Sequence, residues 1–276
     1  MPFDDRLVNQ QTPHRVYALC KLVRYKSLTR EQLKAYVVPE SLNTSDSAFA
    51  NVFKFALNGH LISKDPDGKI TLELSENEVE SSVSFRKAIA KRTFTNPELI
   101  FCRFTGWYLM RGPKVFNESA KDLASNFDKE INLDSHINKY NDTNINGWRT
   151  WVSFLGLGFV HGGTLIPNAY VRLKDALEGD EHLVRSKPIL FRDFISWLSK
   201  ACPELDFGEI STNNKGKAQL RENELSIALS SGLRALQDQG NIRLNYIKDA
   251  RETWYLERCD THEIQDKVSQ IVIERW

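Results

Sequence analysis

No two cysteines in this sequence stand close enough to share a metal or form a local redox pair. Cys20, Cys102, Cys202 and Cys259 are the full set, and no CxxC spacing occurs. That excludes a zinc ribbon and a thioredoxin-type site, and scattered thiols among apolar neighbours read as small buried groups in a reducing cytoplasm. Apolar runs are short as well. Nothing approaches the roughly 18 residues that a membrane span needs, and the opening MPFDDRLVNQ has no apolar leader region. The expectation is a soluble, cytoplasmic chain with no membrane partner.

Net charge is nearly absent. Lys and Arg number 37 against 36 Asp and Glu, a formal charge of +1. Phosphate contacts dominate nucleic-acid affinity, so a dedicated DNA binder carries a larger basic excess, and any basic footprint here has to be local. Catalytic constellations are missing too. Gly156-Leu157-Gly158 with Gly162 follows a helical stretch rather than a strand, the wrong context for a phosphate loop. Asp206, Glu209 and Lys215 can be grouped as a nuclease-like set, but no apolar strand supports the acids. His60 and His161 have no second ligand at helical spacing. The chain is therefore read as non-catalytic, with no metal and no cofactor.

What the sequence does contain is one local pattern three times: a helix-period apolar run, a glycine, then a short hydrophobic strand and a turn. The copies are Phe49, Val52, Phe53, Leu57 with Gly59 and Leu61-Ile62; Trp148, Trp151, Val152, Leu155 with Gly158 and Phe159-Val160; and Leu225, Leu229, Leu233, Leu236 with Gly240 and Ile242-Arg243-Leu244. Glycine just past a helix enters the left-handed conformation without a Cβ clash. The three glycines lie 99 and 82 residues apart, the spacing of domain repeats rather than of a solenoid.

Around the first copy the order is complete. Residues 1–12 read as a polar arm. His14–Tyr25 carries an apolar helical face, Thr29 and Gln32 form a capping box, and a third helix from about Ser45 or Ser47 stops at Asn58-Gly59. A hairpin with its tip at Asp65–Gly68 returns through Ile70, Leu72 and Leu74. In the third copy Ile242, Leu244 and Tyr246 alternate, Lys248–Arg251 turns, and Trp254 and Leu256 return. Thr261–Trp276 reads as a last helix with Ile264, Val268, Ile271 and Val272 in register, either packed on its own unit or offered to a partner protein. The mixed-charge stretch 179–188 is the linker candidate. The expected fold is mainly α with small β-hairpin wings (α+β), in units 1–75, 76–178 and 188–276 joined by helical connectors.

Charge locates the candidate contacts. The polar face of the first glycine-stopped helix is Asn43, Thr44, Ser45, Ser47, Asn51 and Lys54, while residues 222–239 carry a net charge of −2. Arg243, Lys248 and Arg251 outweigh Asp249 in the third hairpin. The densest run is 86–114, where Arg86, Lys87, Lys91, Arg92, Arg103, Arg111 and Lys114 stand against Glu98, a net of +6. Glu73, Glu76, Glu78 and Glu80 precede it. The run is a solvated, internally paired face, a phosphate-tracking patch, or a dock for an acidic protein surface. Trp107, Trp148 and Trp151 fit a helical core, or a partner hot spot where exposed.

The stretch His14–Leu74 resembles the winged helix-turn-helix superfamily, through its capped Thr29 helix, its Ser47–Leu57 helix, Gly59 and the Asp65–Gly68 tip. Asn223–Leu256 looks like the second half of another copy. Tandem winged-helix proteins with neutral recognition helices are similar to the small accessory subunits of SMC-type complexes and to non-catalytic accessory proteins of anti-phage and plasmid-defence operons. That resemblance implies winged helices that bind partner subunits and basic surfaces that track double-stranded DNA independently of sequence. The alternative it leaves is a transcription regulator reading an operator through Ser47, Asn51 and Lys54.

Overall fold

Residues 13–72 fold as their caps and apolar spacing dictate. In this computed structural model, which describes residues 3, 7–39, 47–132, 140–217, 220–259 and 266–274, helix α1 (Pro13–Tyr25) leads to strand β1 (Leu28–Thr29), α2 (Arg30–Val37), α3 (Ser47–Asn58) and a hairpin of β2 (Ile62–Lys64) and β3 (Lys69–Leu72). Thr29 caps α2 reciprocally: its Oγ1 accepts the Gln32 N–H at 3.3 Å while Gln32 Oε1 accepts the Thr29 N–H at 2.9 Å. Val16, Leu19, Cys20 and Val23 of α1 and Phe49, Val52, Phe53 and Ala56 of α3 are buried, and the two helices pack together. The antiparallel strands lie in the order β1-β3-β2, with Leu28 opposite Ile70 and Ile62 opposite Leu72.

The rest of the chain adds α4 (Ser82–Thr93), α5 (Ile100–Leu109), α6 (Ala120–Glu130), α7 (Asp142–Phe154), β4 (Gly158–His161), β5 (Thr164–Pro167), α8 (Tyr170–Gly179), β6 (Pro188–Leu190), α9 (Phe191–Ala201), α10 (Glu209–Asn213), α11 (Ile227–Asp238), β7 (Ile242–Asn245), β8 (Trp254–Tyr255), β9 (Lys267–Val268) and β10 (Gln270–Ile273). The fold is mainly helical with small antiparallel sheets, the α+β class expected. It divides into two compact units, Met1–Phe101 with Ser135–Leu155, and Cys102–Asp134 with Gly156–Trp276.

From α8 onward the second unit repeats the element order of α1 to β3 in the first. α8, β6, α9, α11, β7 and β10 follow one another as α1, β1, α2, α3, β2 and β3 do, and the strand order β6-β10-β7 reproduces β1-β3-β2. α10 and the β8–β9 pair are additions to that plan. The stretch 179–188 runs within this unit rather than between units. Arg185 Nη2 donates to Leu177 O at 2.7 Å, Ser186 N–H to Ile273 O at 2.7 Å, and Trp197 Nε1 to Asp180 Oδ2 at 2.8 Å, which pins it in place.

Three local expectations are corrected. The described part of the terminal segment is strand, not helix. Val268, Ser269, Gln270, Ile271, Val272 and Ile273 are mostly β-branched, and β10 is the central strand of its sheet, where both faces are covered and helix-like spacing carries no meaning. β7 consequently pairs with β10, with Ile271 opposite Leu244, while β8 pairs with β9. The polar arm is anchored: Phe3 and Leu7 are buried, and the Phe3 ring stacks on Phe101 with centroids 4.0 Å apart.

The third correction concerns the helix stops. After α3 the left-handed residue is His60, at φ 51°, not Gly59. Leu61 N–H donates to Ala56 O and His60 N–H to Leu57 O, a Schellman closure. Gly240 fills the same place after α11, with Asn241 N–H donating to Leu236 O and Gly240 N–H to Gln237 O. After α7 the left-handed residue is Gly156, two places before the expected Gly158. A side chain with a Cβ costs about 1 kcal/mol in this conformation. His60→Gly is therefore expected to stabilise the first unit by up to about 1 kcal/mol, read as a higher urea midpoint; an unchanged or lower midpoint would refute it.

Candidate nucleic-acid interface

α3 presents a polar face because its apolar residues recur at helical spacing on the other side. Ser47 and Lys54 are exposed and Asn51 is half-buried, spaced four and three residues apart. Asn43, Thr44 and Ser45 lie outside the described residues. The helix is braced from behind, where Gln11 Nε2 donates to the Asn51 carbonyl at 3.2 Å. From the start of α2 the Arg30 guanidinium lies over the Phe49 and Phe53 rings at 5.6 and 5.7 Å. The hairpin exposes Lys64 and Lys69, and Asp65 Oδ1 accepts the Lys69 N–H at 2.8 Å to fix the turn. Sequence charge favours this unit: it holds 16 basic and 13 acidic residues, whereas the second unit holds 21 and 23.

α11, the counterpart of α3, offers nothing similar. Ala228, Leu229, Ser230, Gly232, Leu233, Arg234 and Leu236 are all buried. Gly232 lies so close to the start of α8 that an added Cβ would stand 2.9 Å from Ala169 C and Tyr170 N. Arg234 pairs with Asp266 at 2.9 Å. A helix closed on that many sides has no face with which to enter a groove.

The +6 run is divided by the fold. Arg86, Lys87, Lys91 and Arg92 belong to the first unit, Arg103, Arg111 and Lys114 to the second. Several of these cations are committed to partners. Arg92 holds Glu78 at 2.5 and 3.3 Å. Burial would raise the Glu78 carboxyl, but hydrogen bonds from Arg92 and Ser75 outweigh it and hold the group below its ordinary value. Arg103 Nη2 donates to Ile131 O at 2.7 Å. Arg111 joins Glu118 and Glu130 and lies 4.4 Å over the Trp107 ring. Arg86 and Lys87 are half-buried, and Lys91 and Lys114 are exposed.

A protein-family model described as DpdG-like matches residues 7–250 of this chain. The chain belongs to the DpdG-like family. DpdG is a phage-defence protein associated with DNA modification. No curated protein and no solved structure matches the chain.

In this DpdG-like chain the remaining expected contacts separate into usable and spent ones. Lys248 and Arg251 are exposed between β7 and β8, while Arg243 is paired with Glu274 at 2.6 Å. Val268, Ile271 and Val272, expected to meet a partner, are buried in the chain's own sheets; Ile264 lies outside the described residues. Trp107, Trp148 and Trp151 are core. The apolar surface that sequence reasoning missed is the β4–β5 hairpin, where Phe159 and Val160 are 51% and 47% exposed. Their neighbourhood is legible as a hairpin, but its buried side is supplied by Leu165 and Pro167 of β5, while Phe159, Val160 and His161 of β4 are all exposed, so alternation along β4 marks no buried side. Among the described residues, no cluster of His, Cys, Asp or Glu has the makings of a metal site, and no helix is long and apolar enough to cross a membrane.

Proposed function

We propose that this DpdG-like chain is a non-catalytic accessory subunit of a DNA-modification-linked phage-defence assembly, built on two winged-helix units of which the first grips duplex DNA. The carrying observation is the contrast between α3 and α11, which hold the same place in two stretches of like element order: one helix keeps a polar face, with Ser47 and Lys54 exposed and Asn51 half-buried, and the other is buried. Arg30, Lys64 and Lys69 extend that face with positive charge, and Lys91 supplies a further cation on α4. Contacts of this kind are with phosphates and position the chain on any sequence. The exposed Phe159 and Val160 are assigned to a partner protein, since an apolar pair on a two-stranded hairpin is the composition of an interface core. Membership of a family named for a phage-defence protein favours an assembly of that kind over a free-standing operator-reading regulator.

The test is fluorescence anisotropy with labelled duplex at several salt concentrations. Lys54→Glu combined with Lys64→Glu and Lys69→Glu is expected to weaken binding roughly tenfold or more and to lower the log–log salt slope by about 0.9 for each phosphate that is no longer neutralised. Charge reversal at Lys87 and Lys91 provides the comparison. Weaker binding only in that second variant would move the interface to α4, and an unchanged slope in both would end the DNA assignment. A strong preference for one duplex sequence would favour the regulator.

A further inference from the structure

We infer that the second unit holds a separate site for single-stranded nucleic acid, in the open cavity of about 910 Å³ lined by Phe207, Lys215, Lys217 and Arg221. This goes beyond the duplex grip of the first unit, because a different unit and different side chains carry it.

The argument starts from Phe207. Its φ is 64° and the residue is 42% exposed. A bulky aromatic residue in the left-handed region is a genuine outlier, and it persists only where the surroundings over-determine it. Those surroundings are rigid. Gly208 is pressed so close to the Pro203 carbonyl that an added Cβ would stand 2.4 Å from its oxygen. Ser211 Oγ donates to Leu205 O at 2.6 Å. The buried Asp206 carboxylate accepts the Ser226 N–H at 2.5 Å and its hydroxyl at 2.6 Å. Glycine or asparagine would occupy such a position at lower cost. Here the chain holds an aromatic ring out toward the cavity, perpendicular to the Trp254 ring at 5.2 Å.

Charge completes the site. The side chains of Lys215, Lys217 and Arg221 are exposed on the same cavity, and none is ion-paired among the described residues. An outward aromatic ring beside such cations is what stacking on a base and following its phosphates requires. Bases in a duplex are already stacked and paired, so the ring selects a strand whose bases are free. An acidic peptide would use the cations but would leave the strained ring without a role.

The full-length chain is titrated with a labelled oligothymidylate and, separately, with labelled duplex. Phe207→Asn keeps a residue suited to the left-handed region, so its urea midpoint should stay level or rise, while oligothymidylate affinity falls about tenfold and duplex affinity holds. Lys215→Glu with Lys217→Glu should lower the oligothymidylate salt slope by about 0.7 for each phosphate set free. Reversal at Lys54, Lys64 and Lys69 should leave oligothymidylate binding intact, which separates failure of this site from failure of the duplex grip. Wild-type oligothymidylate affinity in Phe207→Asn overturns the inference. Tight binding of poly-glutamate that depends on Phe207 overturns it as well, in favour of an acidic peptide.

Discussion

Arg172→Leu alone is expected to destabilise the second unit by about 3–5 kcal/mol, whereas Arg172→Leu combined with Glu204→Leu should recover most of that stability. The two side chains are 9% and 0% exposed, and Arg172 Nε donates to Glu204 Oε1 at 2.6 Å. Arg172 Nη2 also donates to Ala201 O at 3.0 Å, so the guanidinium ties α8 to the end of α9. Glu204 Oε2 already has no hydrogen-bond partner among the described residues. Taking away the arginine would leave the carboxylate in the core without the guanidinium that faces it. Removing both charges replaces an ion pair by apolar volume, which is often neutral. The surroundings amplify the effect: burial pushes the Cys202 thiol up to about 12, Arg172 lowers it, and Glu204 and Asp175 raise it, so the arginine is the positive member of a largely acidic cluster. The check is a double-mutant cycle by urea unfolding. If the single and double variants are destabilised by the same amount, packing rather than charge holds α8 in place.

The first unit is legible because its information is local. Thr29 and Gln32 cap each other within three residues, and the Asp65–Gly68 tip closes within four. Neither depends on anything distant. The second unit hides its equivalent plan because three of its parts are decided at long range. Strand β10 is defined by covering from β6 and β7 on either side, and Val268, Ile271 and Val272 happen also to fit a helical face, so spacing alone favours the wrong answer. Helix α8 stands next to a hairpin in sequence but packs on α11, and nothing in its own residues announces that partner. Trp254 is the natural place to expect the return strand because hairpins are usually short, whereas β7 meets β10 after an excursion through β8 and β9.

The candidate interface divides in the same way. The polar face of α3 follows from helical periodicity and is visible at Ser47, Asn51 and Lys54. The basic run 86–114 is visible as charge but not as surface, because Arg103 and Arg111 find Ile131 and Glu130 outside the run, and a tally of signs along the chain does not see across the fold. The neutralisation of Arg92 by Glu78 lies within reach of sequence, since the acids precede the run directly, and so does that of Arg111 by Glu118, which follows the run. Phe207 gives no signal at all: its meaning is a backbone angle that composition does not encode.

Trp151 joins the core of the first unit to α3, and its replacement should be felt in both. The side chain is fully buried, meets the Phe3 and Phe55 rings at centroid distances of 5.0 Å each, and donates from Nε1 to Gln11 O at 2.6 Å. Gln11 in turn donates to the Asn51 carbonyl of α3 at 3.2 Å. Trp151→Ala removes a large aromatic volume among other rings and is expected to cost about 3–5 kcal/mol. Trp151→Phe keeps much of the packing but leaves the buried Gln11 carbonyl without its donor, an expected destabilisation of about 1–3 kcal/mol. The phenylalanine variant is the informative one, since it remains folded. If the Trp151–Gln11–Asn51 chain sets the pose of α3, that variant weakens duplex binding at temperatures where its circular dichroism is native, while oligothymidylate binding by the second unit is unchanged. Equal duplex affinity in wild type and Trp151→Phe would show that α3 is held by its own apolar face and that Gln11 is a bystander.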